Sequence, residues 1–128
     1  METYQLTYVA GGCLGSSVAI IHGILMQKHL VAPVTASEQL SSNAKELCVL
    51  LLQFSTFVWL VGGIALIYAA LFLSSTTALI IASLIALCYL YGAIGNFWAT
   101  RGRHFGWIPL IAAVLSISWG SIVLITAA

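Results

Sequence analysis

The stretch GGCLGSSVAIIHG (residues 11–23) puts four glycines and a histidine inside an otherwise apolar run. On an α-helix of 3.6 residues per turn, Gly11, Gly12, Gly15, Ser16, Ala19, His22 and Gly23 share one side. Leu14, Ile20, Ile21, Ile24 and Leu25 take the other. Gly11, Gly15, Ala19 and Gly23 also recur at every fourth position. In lipid, helices gain little by burying apolar side chains against each other, so small residues that admit a close neighbour mark the packing face. The segment therefore reads as a membrane-spanning helix whose glycine face meets protein, with His22 aligned between Gly11 and Gly15.

Composition supports lipid as the solvent. Of 128 residues, 62% are hydrophobic and 5% charged, with a formal net charge of +1. Water-soluble domains carry about 25% charged residues, so this chain lacks the charge to cover a soluble surface. The balance leaves no basic footprint for nucleic acid. Four apolar runs are long enough to cross a bilayer, which takes about 20 residues each: 4–26, 45–72, 76–99 and 107–126. The expected fold is an all-α membrane protein, one domain of four transmembrane helices in an antiparallel bundle. The leader METYQ has no Lys or Arg, so the first run is read as a retained span rather than a signal peptide.

The connections carry their own signals. Pro33 lies in the longest polar segment and is expected to interrupt any continuous helix there. Thr35 with Glu38, and Asn43 with Glu46, have capping-box spacing; the first suggests a short interfacial helix and the second the start of span two. The SSTT of residues 74–77 is short enough to make spans two and three a tight hairpin. Gly102 and Gly106 frame the turn before span four. Pro109 falls in that span's first turn, where its missing N–H is tolerated.

Lys28, Lys45, Arg101 and Arg103 are the only Lys and Arg residues. In the four-span arrangement all lie on one side, in loops one and three. Because cytoplasmic loops carry the Lys/Arg excess, both termini are expected outward, and a bacterial inner membrane is the expected location. The same four cations are candidate contacts for lipid head groups.

Ionisable residues within spans are candidates for function. His22 lies near the cytoplasmic end of span one, at a depth similar to Gln53 in span two and Asn96 in span three. Asn96 shares a face with Ala82, Ala86, Tyr89, Gly92 and Ala93. Gln53 shares its face with Phe57, Leu60 and Ile64, which turns it partly away. The candidate ligand-binding or polar cluster is thus His22, Gln53, Asn96 and Tyr89. The candidate packing residues are Gly11, Gly15, Ala19, Gly23 and Gly92. The plainer alternative for His22 is a neutral imidazole hydrogen-bonded to another span, an interaction of about 0.6 kcal/mol on average.

Other chemistries find less support. No span has a mid-membrane carboxylate for proton-coupled export. His22 is the sole embedded histidine, so a bis-histidine haem site has no second ligand. His22, His29 and His104 have no metal-site spacing. Cys13, Cys48 and Cys88 lack CxxC spacing and read as small apolar residues. No Ser-His-acid set is legible. No catalytic residue, metal or cofactor is assigned.

The run HGILMQKHLVAPV (residues 22–34), followed by LQFSTFVWLVGG (residues 52–63), resembles a family of small uncharacterised bacterial four-span integral membrane proteins. His22, Lys28, Pro33 and Thr56 match its pattern. Met26 and Gln27 replace its Gly-Glu, and Leu52 and Gln53 replace its Trp-His. The resemblance covers the first half of the chain and implies the four-span topology, while Gln53 removes the second histidine of a paired site.

These readings lead to a non-enzymatic integral membrane protein with a structural, assembly or regulatory role, acting as a homo-oligomer or with a membrane-protein partner. The alternatives are a small-molecule or ion carrier using the cluster around His22, and, third, a haem- or metal-binding redox protein.

Overall fold

The computed structural model describes residues 1–127, and among these every regular element is helical. Helix α1 (Thr3–Met26) continues through a π-helical turn (Gln27–Val31) into α2 (Ala32–Ala36). Helices α3 (Ser42–Phe72), α4 (Ser75–Thr100) and α5 (Trp107–Thr126) follow. Four continuous helices, the first running Thr3–Ala36, are long and apolar enough to cross a membrane.

The unbroken first helix corrects the expectation at Pro33. In a regular α-helix the proline ring meets the carbonyl four residues earlier. Here the turn just before it is widened: the Ala32 N–H bonds to the Gln27 carbonyl, five residues back. This π-helical turn relieves the crowding, so the chain passes Pro33 without stopping. Thr35 opens no interfacial helix either. It lies at the end of α2, and its hydroxyl donates back to the carbonyls of Val31 and Ala32.

The cap of α3 is also displaced from Asn43. Ser41 holds the N-cap and accepts from the Ala44 N–H at 3.3 Å, while Ser42 donates to Glu46. Serine is as good a cap as asparagine, and capping at Ser41 makes two more residues helical. Only Leu73 and Ser74 separate α3 from α4, and Ser74 caps α4 by accepting from the Thr77 N–H. At the other end of α4, Arg101 sits in the left-handed region at φ 51° and Gly102 at φ 75°. Their N–H groups return to the Trp98 and Phe97 carbonyls, the hydrogen-bond pattern of a Schellman C-cap.

The helices form a ring in which α1 lies against α3 and α5, and α4 against α5 and, less closely, α3. Contacts between α1 and α3 run in opposite residue order. Gln5 donates to the Ala70 carbonyl at 2.9 Å, Gly12 meets Gly63, and Gly23 meets Thr56. Between α1 and α5, Tyr8 bonds Ser121 at 2.9 Å, and Ser116 donates to the Thr7 carbonyl. The interior is built from small residues around a few large ones. Ala19, Ala69, Ala78, Ala82 and Ala113 are fully buried, together with Tyr8, Leu66, Tyr89, Leu110 and Ile117. Most of the bulky apolar side chains point outward, with Tyr91 and Trp98 each 82% exposed. Small-inside, large-outside is the packing that a lipid solvent favours.

On α1, Gly11, Gly12, Gly15 and Ala19 are buried, and Leu14, Ile20, Ile21, Ile24 and Leu25 are exposed. The glycines make room for different things. Gly12 and Gly63 bring two backbones together, whereas Gly15 receives the ring and hydroxyl of Tyr89 from α4. Gly92 on α4 similarly lies under the Trp59 indole from α3.

Candidate functional site

Tyr89 divides the bundle interior. Its ring is fully buried against Gly15, and its hydroxyl donates to the Trp59 carbonyl at 3.1 Å. With Gly12 and Gly63 in contact beside it, the interior is closed at this level. Towards the Met26 and Thr100 ends of α1 and α4, these two diagonal helices separate. A cavity of ≈ 430 Å³ opens between them, lined by His22, His29, Asn96, Thr100, His104 and apolar side chains from α1 and its π-helical extension. A second cavity of ≈ 260 Å³ shares His22 and Asn96 and reaches Ser55, Trp59 and Gly92.

His22 is half-buried at this junction. Its ring lies 4.7 Å from the Trp59 ring, centroid to centroid. Its Nε2 is 3.4 Å from the Ser55 hydroxyl, which also lies 2.9 Å from the Leu52 carbonyl. With the serine proton on Leu52, Ser55 offers His22 a lone pair. That fits the Nε2–H tautomer and leaves Nδ1 as an acceptor. The long contact holds the ring weakly.

Asn96 lines the same space. Its Oδ1 is shielded from the cavity and has no hydrogen-bond partner within the protein. Buried polar atoms are nearly always paired, and an unpaired one costs about 1–3 kcal/mol. Ser16, Thr56 and Trp107 also carry unpaired buried polar atoms, but Asn96 is the one that lines these cavities. Thr100, one turn on, donates to the Asn96 main-chain carbonyl at 2.7 Å. His104 accepts from the Gly106 N–H through Nδ1 at 3.1 Å, leaving Nε2–H as its donor. The site thus combines imidazole donors and acceptors, an amide and a hydroxyl in a largely apolar wall.

His22 and Asn96 are brought together across this cavity. Gln53 is not part of it. Its amide donates to Gln27 Oε1 at 2.9 Å, and it lines a separate cavity of ≈ 500 Å³ with Thr35, Lys45 and Glu46. Tyr89 forms the floor above His22 rather than a wall of the cavity. Lys28 neighbours His29 in the π-helical turn, and Arg101 and Arg103 precede His104 in the α4–α5 connection, whereas Lys45 lies near the start of α3. Gly23 packs against Thr56.

Ser55, Trp59, His29, His104 and Thr100 join the site without having been placed there from sequence. Signals for them exist: Ser55–Trp59 and Asn96–Thr100 are i, i+4 pairs, and His29 follows His22 by seven residues, almost two turns. Although three histidines line one cavity, no group of three His, Cys, Asp or Glu among the described residues is placed to hold a metal ion. No protein-family model, curated protein or solved structure matches this chain.

Proposed function

We propose that this chain is a multi-pass membrane protein, an antiparallel four-helix bundle without enzymatic activity, that binds a small polar molecule or head group in the cavity beside His22. The observation that carries this reading is a cavity of ≈ 430 Å³ lined by three imidazoles, those of His22, His29 and His104, together with Asn96 and Thr100. A purely structural helix bundle gains from closing such a gap or pairing the amide. Leaving three imidazoles and a threonine around it suits a ligand with its own donors and acceptors. The floor made by Tyr89, Gly15 and Trp59 supports binding from one side rather than continuous passage.

Purification in mild detergent followed by denaturing extraction and mass spectrometry tests this. A stoichiometric small molecule is expected from the native protein. His22→Ala and Asn96→Leu together are expected to lose at least about nine-tenths of it, a tenfold change for each 1.4 kcal/mol of lost contact. Equal yields from native and doubly substituted protein would leave only a structural or assembly role.

The cavity opens at the end that carries Lys28, Lys45, Arg101 and Arg103. The Lys/Arg bias supports placing that end in the cytoplasm and both termini outward, in a bacterial inner membrane. With Cys13, Cys48 and Cys88 replaced by alanine, Thr76→Cys is expected to react with an impermeant thiol reagent added outside intact cells, and Phe105→Cys only after lysis. The reverse pattern would invert the orientation.

A further inference from the structure

Tyr91 is out of place on the outside of the bundle. It is 82% exposed, and unlike Tyr89, whose hydroxyl donates to the Trp59 carbonyl, it has no hydrogen-bond partner among the described residues. Its Cα lies about 13 Å from the Thr100 end of α4 and about 24 Å from the Ser75 end. The hydrocarbon layer is about 30 Å thick, so in the multi-pass reading even the backbone of Tyr91 lies well inside it. Helical side chains lean towards the helix N-terminus, which carries this hydroxyl deeper still. Tyrosine is common at the membrane boundary, where its hydroxyl is wet. At the depth of Tyr91, lipid offers neither donor nor acceptor, and an unpaired hydroxyl is costly.

Beside Tyr91 is a place that another copy of its ring fits. Helices α3 and α4, though joined by two residues, are the least closely packed neighbours in the ring. They leave a cleft of ≈ 380 Å³, walled by Phe54, Ser55 and Val58 of α3 and by Leu87 and Cys88 of α4. No charged side chain lines it. The contact of Trp59 with Gly92 sets its depth. Gly92 adjoins Tyr91 in sequence, and Ser55 is one turn from Trp59, so projection and cleft lie side by side at one level. Ser55 gives its proton to the Leu52 carbonyl and one lone pair to His22. A hydroxyl has two lone pairs, which leaves Ser55 able to accept from a phenol.

We infer that this face binds a second copy of the chain, with Tyr91 of each protomer seated in the α3–α4 cleft of the other and its hydroxyl donating to Ser55. A two-fold axis along the membrane normal keeps both copies in one orientation and every residue at its own depth. It therefore brings the partner's Tyr91 to the level of Ser55. The patch carries both the projecting group and its socket, as an isologous interface requires. An unrelated partner has to supply both at the same depth, whereas a second copy does so by symmetry. The inference rests on the multi-pass reading above and is independent of the ligand.

The test uses full-length protein labelled at the Met1 amine, at a pH where the lysines stay protonated, in phosphatidylcholine liposomes over a range of protein-to-lipid ratios. Energy transfer between donor- and acceptor-labelled copies is expected to follow a monomer–dimer equilibrium. Tyr91→Phe, which removes only the hydroxyl, should weaken association about 5–10-fold, the loss of two hydrogen bonds of ordinary membrane strength. Tyr91→Ala removes the ring and Cys88→Phe fills the cleft, and each should weaken it at least about 100-fold. Leu87→Trp is a second block of the cleft, with helix content checked by circular dichroism for all variants. Donor-labelled Tyr91→Ala mixed with acceptor-labelled Cys88→Phe is expected to associate at least about 10-fold more tightly than either variant alone, because one ring then finds one open cleft.

Energy transfer no greater than random proximity, in native protein that carbonate does not extract from the liposomes, overturns the dimer and leaves the multi-pass reading standing. Extraction by carbonate removes both. A native dimer that Tyr91→Ala and both blocks leave intact uses another face and overturns this one, as does a mixture no tighter than its two components.

Discussion

Gly15→Ala is expected to destabilise the bundle by about 2–3 kcal/mol, and to cost less in a protein whose Tyr89 has already been shrunk. A methyl group at residue 15 would occupy the space of the Tyr89 hydroxyl and ring edge. The ring has no free volume to enter, being fully buried and tied to the Trp59 carbonyl. Overpacking of this kind costs about 1–3 kcal/mol. Tyr89→Leu alone should cost about 2–4 kcal/mol, through a cavity and a lost hydrogen bond. Combined, the two changes exchange volume across one contact, so the double variant should be more stable than the sum of the single losses by at least about 1 kcal/mol. Reversible unfolding in mixed micelles of the four proteins gives the cycle. Strict additivity would mean that Tyr89 does not occupy the Gly15 niche.

That niche illustrates what the sequence displays and what it withholds. Residues 11–25 divide on a helical wheel into a small face and a large face, and the division matches burial in the folded chain. The informative contrast is size rather than polarity, because lipid and the bundle interior are both apolar. Which large residue fills a given glycine niche is a tertiary matter. Tyr89 and Trp59 reach Gly15 and Gly92 from other helices, at heights fixed by where the helices cross. The ordinary projection also fails beyond Met26. The π-helical turn changes the angular register after that residue, and Gln27 within it becomes the partner of Gln53. On α3, Gln53, Ser55 and Thr56 point in three directions, and no local rule tells that Ser55 is the one beside His22. Asn96 and His22 were legible as a pair of similar depth because both lie on small-residue faces.

The crossing of α1 and α3 should tolerate substitution even less than the Tyr89 niche. A Cβ on Gly12 would come 2.6 Å from the Gly63 carbonyl oxygen and 2.7 Å from Ile67, and one on Gly63 would come 2.6 Å from the Gly12 carbonyl oxygen. The obstruction is reciprocal, and besides the side chains of Ile67 at Gly12 and Ser16 at Gly63 each Cβ meets the backbone carbonyl of the other glycine. A side chain can rotate away, but a carbonyl moves only with its helix, so even alanine must push the helices apart along their length. Gly12→Ala and Gly63→Ala are each expected to lose about 3 kcal/mol or more, at or beyond the top of the usual range for overpacked sites. No smaller residue exists to relieve either one. Gly95 provides the internal control, since a Cβ there meets nothing within 4 Å. Gly95→Ala should therefore stabilise by about 0.5–1 kcal/mol, the ordinary gain from replacing glycine within a helix. The same crossing positions Trp59 beside His22, so separating α1 from α3 should also shift Trp59 emission in protein whose other tryptophans are Phe. Gly12→Ala and Gly95→Ala with indistinguishable unfolding midpoints and unchanged Trp59 emission would mean that α1 and α3 do not cross at Gly12 and Gly63.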